Sequence, residues 1–280
     1  MVAISAKRQL YFLFSFYFFA NVLGSLLSST LLPSVPSQLA KLSLSALSIL
    51  NFLIPALIAF RLFSPVPLQA YWKLNTLGSS RTFLTTLLLT ACCIILMNWL
   101  AKVNAQIPLL DWMKETEDKS IAKLKQYLVM DKIDQLLLNL FLFAVVPAFC
   151  EEVFFRATMQ PLFVKWLANP WIAIFITAFI FSFLHFQFSG FLPRLLAGVF
   201  FGALFYSTSS LWWSVISHAL YNGAIVVLNY SAQHRLIHIT SLEELLLNPF
   251  LLLIAGFTLL FWFYRAASKV EPSQINHGTE

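Results

Sequence analysis

Apolar residues come in long blocks along this chain, broken by short polar gaps. A helix needs about 20 apolar residues to cross a bilayer. On that ruler eight blocks qualify, at about 10–28, 43–63, 83–101, 136–157, 172–191, 194–208, 211–229 and 247–265. The sixth and seventh are parted only by Ser207–Ser210, a polar turn suited to an antiparallel helix pair. The sixth is short, and a tilted or partly re-entrant helix is expected there. The pattern predicts an all-α, polytopic membrane fold of about eight transmembrane helices in one bundle. It reads as one structural domain with three stretches: 1–134 with three helices and an outer loop, 135–230 as a core, and 231–280 with the last helix and a polar tail.

The gap at 102–135 is the one long interruption. Ile121, Leu124 and Leu128 make a stripe at i, i+3 and i+7, and Asp111 is placed to cap a helix. An interfacial helix lying on the membrane is the plain reading. A flap over a substrate entrance is the functional one. Gly198 and Gly202 form a GxxxG spacing, which predicts close packing inside the bundle.

Composition agrees with this pattern. The 280 residues are 59% hydrophobic and 11% charged, against about 25% charged for soluble domains. The net charge of +6 does not point to nucleic acid, because the Lys and Arg residues are scattered between apolar blocks. Their distribution predicts orientation instead. With the N-terminus in the cytoplasm, the inner side holds Lys7, Arg8, Arg61, Lys73, Arg81, Arg156, Lys165, Arg265 and Lys269, and the outer short loops hold Lys41, Arg194 and Arg235. Both termini are then cytoplasmic, in a multi-pass protein of the cell membrane. The run from Leu10 to Leu27 is longer than a signal-peptide core of roughly 7–15 residues, so a retained first helix is expected. Cys92, Cys93 and Cys150 all lie in apolar blocks with no metal-ligand spacing. The tail from Glu271 to Glu280 is polar and expected to be disordered.

The candidate chemistry sits where charge meets hydrocarbon. Glu151 and Glu152 close the apolar run Leu136–Phe149, and ionisable groups at membrane depth point to function. Arg156 is four residues beyond Glu152 and can pair with it. His185 lies in the fifth block; His218 and Asn222, four apart, share a face in the seventh. At about 1.5 Å per residue, Glu151, His185 and His218 lie at depths compatible with one cavity. A glutamate and an imidazole can hold and deprotonate a water, while a second imidazole and an amide donate to an oxyanion. The same Glu151, His185 and His218 could instead ligate a divalent metal such as zinc. Pro147 is placed to kink the fourth helix. Two other classes fit buried Glu and His: a proton- or ion-coupled transporter, and a non-catalytic immunity or scaffold protein.

Glu151-Glu152-x-x-x-Arg156, Phe181-x-x-x-His185 and His218-x-x-x-Asn222 follow one another on successive apolar blocks. This ordered trio resembles the CAAX protease and bacteriocin-processing (Abi, CPBP) family of intramembrane endopeptidases. The resemblance covers about residues 135–230. It implies Glu151 as the base that activates water, with His185 assisting. It implies His218 and Asn222 at the oxyanion, and Glu152 and Arg156 orienting the site. A divalent metal or none is compatible with it. The implied partners are the lipid bilayer and a membrane-associated protein or peptide substrate, CAAX-type or related; the inward offsets of Glu151 and His218 in their blocks predict that it arrives from the inner leaflet or cytosol.

Overall fold

The computed structural model describes residues 4–31, 37–74 and 79–268. The polar tail and Lys269 lie outside the described residues. Among them every regular element is helical. In chain order the main helices are α1 (Ala6–Thr30), α2 (Ala40–Phe63) and α3 (Ser80–Asn104). The extramembrane α4 (Asp111–Tyr127) comes next. Then follow α5 (Ile133–Leu167), α6 (Pro170–Phe183), α7 (Phe188–Thr208), α8 (Leu211–Gln233) and α9 (Pro249–Ser268). Seven of these are long and apolar enough to cross a bilayer, and α6 is a shorter apolar helix of 14 residues. The chain is an integral, multi-pass, all-α membrane protein.

Two boundaries differ from expectation. The short helix is the fifth apolar block, not the sixth, because α6 stops at Phe183 while the apolar residues run on through Phe186 and Phe188. Phe186 takes a left-handed backbone, φ 52°, which no hydropathy pattern reveals. Non-helical backbone at membrane depth needs partners inside the protein. Here Asn104 supplies two: its Nδ2 donates to the Phe188 carbonyl at 2.9 Å, and its Oδ1 accepts from Leu192 N–H at 2.7 Å. Ser182 Oγ donates to the Phe191 carbonyl at 2.7 Å. Gly198 brings α7 against α6, since a Cβ there would lie 2.8 Å from the Ala178 Cβ.

The second difference is α5, which spans 35 residues where 136–157 was expected. It passes two prolines without breaking. Each is preceded by a wider, π-helical turn, Leu140–Val145 before Pro147 and Val153–Met159 before Pro161. A third, Ile49–Leu53, precedes Pro55 in α2. A proline lacks an N–H and crowds the carbonyl four residues back. The wider turns relieve this by closing i→i−5 bonds, Val146 N–H to Phe141 O and Gln160 N–H to Phe155 O. Glu151 and Glu152 occupy the α-helical stretch between two such turns, and π turns are frequent at functional sites. This rod packs against α1, α2, α6, α7 and α8, so it is the centre of the bundle.

The α4 helix starts at Asp111, with Leu110 at its N-cap; Asp111 lies in the first turn and does not cap it. It docks on the turn between α6 and α7. The buried Glu117 accepts hydrogen bonds from Ser189, through N–H at 3.1 Å and through Oγ. Trp112 meets Phe188 edge-on, ring centroids 5.5 Å apart.

Candidate active site

Consecutive helical residues point about 100° apart, so Glu151 and Glu152 face different neighbours. Glu152 is fully buried and looks along the rod at Arg156, whose Nη1 lies 2.8 Å from Oε1. The same Oε1 lies 2.8 Å from His218 Nδ1, so α8 is tied to α5 through this carboxylate. Arg156 is also fully buried. Its Nη2 donates to the Gly198 carbonyl at 3.3 Å, and its guanidinium lies 4.6 Å from the Phe181 ring centre. Four residues on, Gln160 Nε2 donates to the Gly202 carbonyl at 3.1 Å. The two α5 side chains thus read the two glycines of the GxxxG spacing rung by rung. A buried charge needs a partner of this quality, because removing one member of a buried pair costs about 3–5 kcal/mol.

Glu151 turns the other way, into a cavity of about 160 Å³. Its Oε2 is buried and has no hydrogen-bond partner among the described residues. That atom lies 3.9 Å from His185 Nε2 and 3.8 Å from His218 Nε2. Both separations exceed a direct hydrogen bond. The far nitrogens of the two rings are both occupied. His185 Nδ1 lies 2.7 Å from the Phe181 carbonyl, which can only accept, so Nδ1 carries the proton and Nε2 keeps a lone pair. Asn222 lines the same cavity. The structure therefore gathers Glu151, His185, His218 and Asn222 around one space, and sets Glu152 and Arg156 behind it.

Phe181, which reads from sequence as packing, is the spacer of the site. Its ring is edge-on to both imidazoles, 4.9 Å from His185 and 5.8 Å from His218. Phe201 stacks on His218 at 4.9 Å. Cys150 is buried and is not among the cavity's lining residues.

Sequence reasoning missed Gln187, Arg194 and Tyr221, which also line the cavity. Arg194, expected in an outer loop, sits inside α7 with its guanidinium held by Gln187. A charge directly after Pro193 in an apolar block was the available sign. Arg194 and Tyr221 also line an adjoining cleft of about 310 Å³, with Asn98 and Ser189. That cleft lies toward the end of the bundle where α3 ends and α4 docks. Arg81 and Arg265 line a separate cavity at the opposite end.

Ligands about 2.0–2.2 Å from a tetrahedral zinc lie roughly 3.4 Å from one another. The separations of Glu151 Oε2 from the two histidines are wider than that. Among the described residues no group of three or more His, Cys, Asp or Glu side chains is gathered as a metal site. As they stand, Glu151, His185 and His218 do not fit a zinc ion.

Residues 133–224 match the family described as Type II CAAX prenyl endopeptidase Rce1-like. This segment is similar to that family. It holds both π turns of α5, all three motifs and the Arg194 position, and the resemblance carried by the trio stands at the level of that family. No curated protein and no solved structure matches the chain.

Proposed function

We propose that this Rce1-like chain is an intramembrane endopeptidase that cleaves a membrane-associated protein or peptide, CAAX-type or related, by attack of water. One observation carries the reading: the buried, partnerless Glu151 Oε2 faces two imidazole nitrogens at 3.8–3.9 Å across a polar-lined space. Such a gap between polar atoms is where a bridging water belongs. Catalytic hydrogen bonds also tighten when substrate binds.

In this reading the water donates one proton toward Glu151 Oε2 and the other toward the His185 Nε2 lone pair. Its oxygen attacks the scissile carbonyl carbon as Glu151 takes up the first proton. The carbonyl oxygen becomes an oxyanion and meets the Asn222 amide and, when both ring nitrogens of His218 carry a proton, its Nε2–H on the cavity side. The C–N bond then breaks, and Glu151 returns the proton to the leaving amine. Glu152 holds His218 through Nδ1, as a carboxylate orients an imidazole in hydrolytic triads. Arg156 neutralises Glu152, so the negative charge that does the chemistry stays on Glu151.

The buried donors are spent on one fixed arrangement, which favours a hydrolase over a proton relay. Comparative membrane proteomics of a Glu151→Gln strain against its parent tests the reading. An accumulated, uncleaved precursor is expected; identical precursor and product profiles would sink it.

A further inference from the structure

We infer that Arg194 is the seat for a carboxylate of the substrate, the free C-terminus of the peptide being cleaved, and so sets which bond lies over Glu151. The ligand class rests on the protease reading; the seat itself rests on four observations. Arg194 lines both the Glu151 cavity and the adjoining cleft, so its charge stands at the junction between them. It has no acidic partner within ion-pair distance among the described residues, and its partner Gln187 is a neutral amide and carbonyl. Its Nε is buried and unpaired. The guanidinium rests over Gly190, where a Cβ would lie 2.7 Å from Nη1. Position 190 has an ordinary negative φ, so the missing side chain there makes room for the arginine and is not needed for the backbone.

A guanidinium in low-dielectric surroundings with only neutral partners is an incomplete ion pair. Arg156, one helix away, also has an unpaired Nε, but it has the carboxylate that Arg194 lacks, Glu152. The fork of Arg suits a carboxylate in two-pronged fashion. The one anion that every peptide carries at an end is its C-terminal carboxylate. The cleft beyond Arg194 is walled by Ile94, Met97 and Leu228, with Asn98 and Ser189 as polar points, which suits a short apolar peptide end. Tyr221 shares the junction and can donate its hydroxyl to the same group.

The test compares one prenylated CAAX peptide as the free acid and as its C-terminal carboxamide. Wild type is expected to favour the acid in kcat/KM by on the order of 10–100-fold, the range of a charge-assisted hydrogen bond. Arg194→Gln should collapse that ratio to about one, Arg194→Lys should give an intermediate ratio, and Gly190→Ala should lower it by displacing the guanidinium. An arginine that only braces the turn would lower both rates together and leave the ratio intact, which would overturn the proposal. If wild type cleaves neither peptide, the protease reading fails for this probe. Binding of the same two peptides to the Glu151→Gln protein then decides the seat. Preference for the acid, lost in Glu151→Gln/Arg194→Gln, supports it; equal binding of acid and amide overturns it.

Discussion

The α5 and α9 helices are both apolar enough to span a bilayer, yet they have opposite surroundings. Every residue of α5 from Val153 to Met159 is buried, Arg156 among them. On α9, Phe250, Phe257 and Tyr264 stand 76%, 72% and 70% exposed. The two differ in what each polar group can find. The α5 charges meet an arginine, an imidazole and glycine carbonyls, so the rod must sit in the middle of the bundle. The α9 helix keeps its one charged residue, Arg265, exposed in its last turn and can leave its large side chains to lipid. Burial in this protein follows the polar groups, because lipid tails serve an apolar side chain as well as a protein core does.

That contrast can be broken first at the ion pair. Arg156→Met leaves Glu152 buried without its cation and should destabilise the folded protein by about 3–5 kcal/mol. Unfolding in detergent would measure it, and a loss under about 1 kcal/mol would mean that Glu152 finds another partner. Next comes chemistry without structure. Asn222→Ala should lower cleavage by roughly 10²–10³-fold, as removal of an oxyanion donor does, with little change in the unfolding midpoint. A matched glycine pair sharpens the comparison further. Gly198→Ala puts a methyl against Ala178 and should cost about 1–3 kcal/mol. Gly256→Ala on α9 meets nothing within 4 Å and should be neutral or gain up to about 1 kcal/mol of helix propensity. Smallest of all, Phe257→Leu on the lipid face should change stability by less than about 0.5 kcal/mol. A larger loss there would mean that α9 packs against a second copy or a partner.

The same contrast explains what was legible beforehand. The three motifs are legible because ionisable residues are rare in apolar blocks, so each one stands out. Their convergence follows from their order on neighbouring rods. The GxxxG packing is legible too, and the structure adds that Arg156 and Gln160 reach its two carbonyls. The link from Glu152 to His218 is not, since it depends on the rotation of α8 about its own axis. The length of α5 is hidden because Pro161 reads as a break just beyond the block at 136–157, while the π turn Val153–Met159 carries the helix through it. The early end of α6 is hidden because Phe186 and Phe188 prolong the apolar block through a left-handed turn. Arg194 reads as a loop charge for the same reason; the left-handed turn at Phe186 lets α7 begin at Phe188, which puts the arginine inside it and against the cavity.

The most direct test is a double-mutant cycle on cleavage of a prenylated CAAX peptide, with Glu151→Gln, His185→Ala and the pair together. If acid and imidazole hold one water, they act as a unit, and losses within a unit do not multiply. Glu151→Gln alone should then cost about 10²–10⁴-fold in kcat, the range for a general base, and adding His185→Ala should cost no more than a few-fold beyond it. Losses that multiply in full would contradict a shared water between Glu151 and His185.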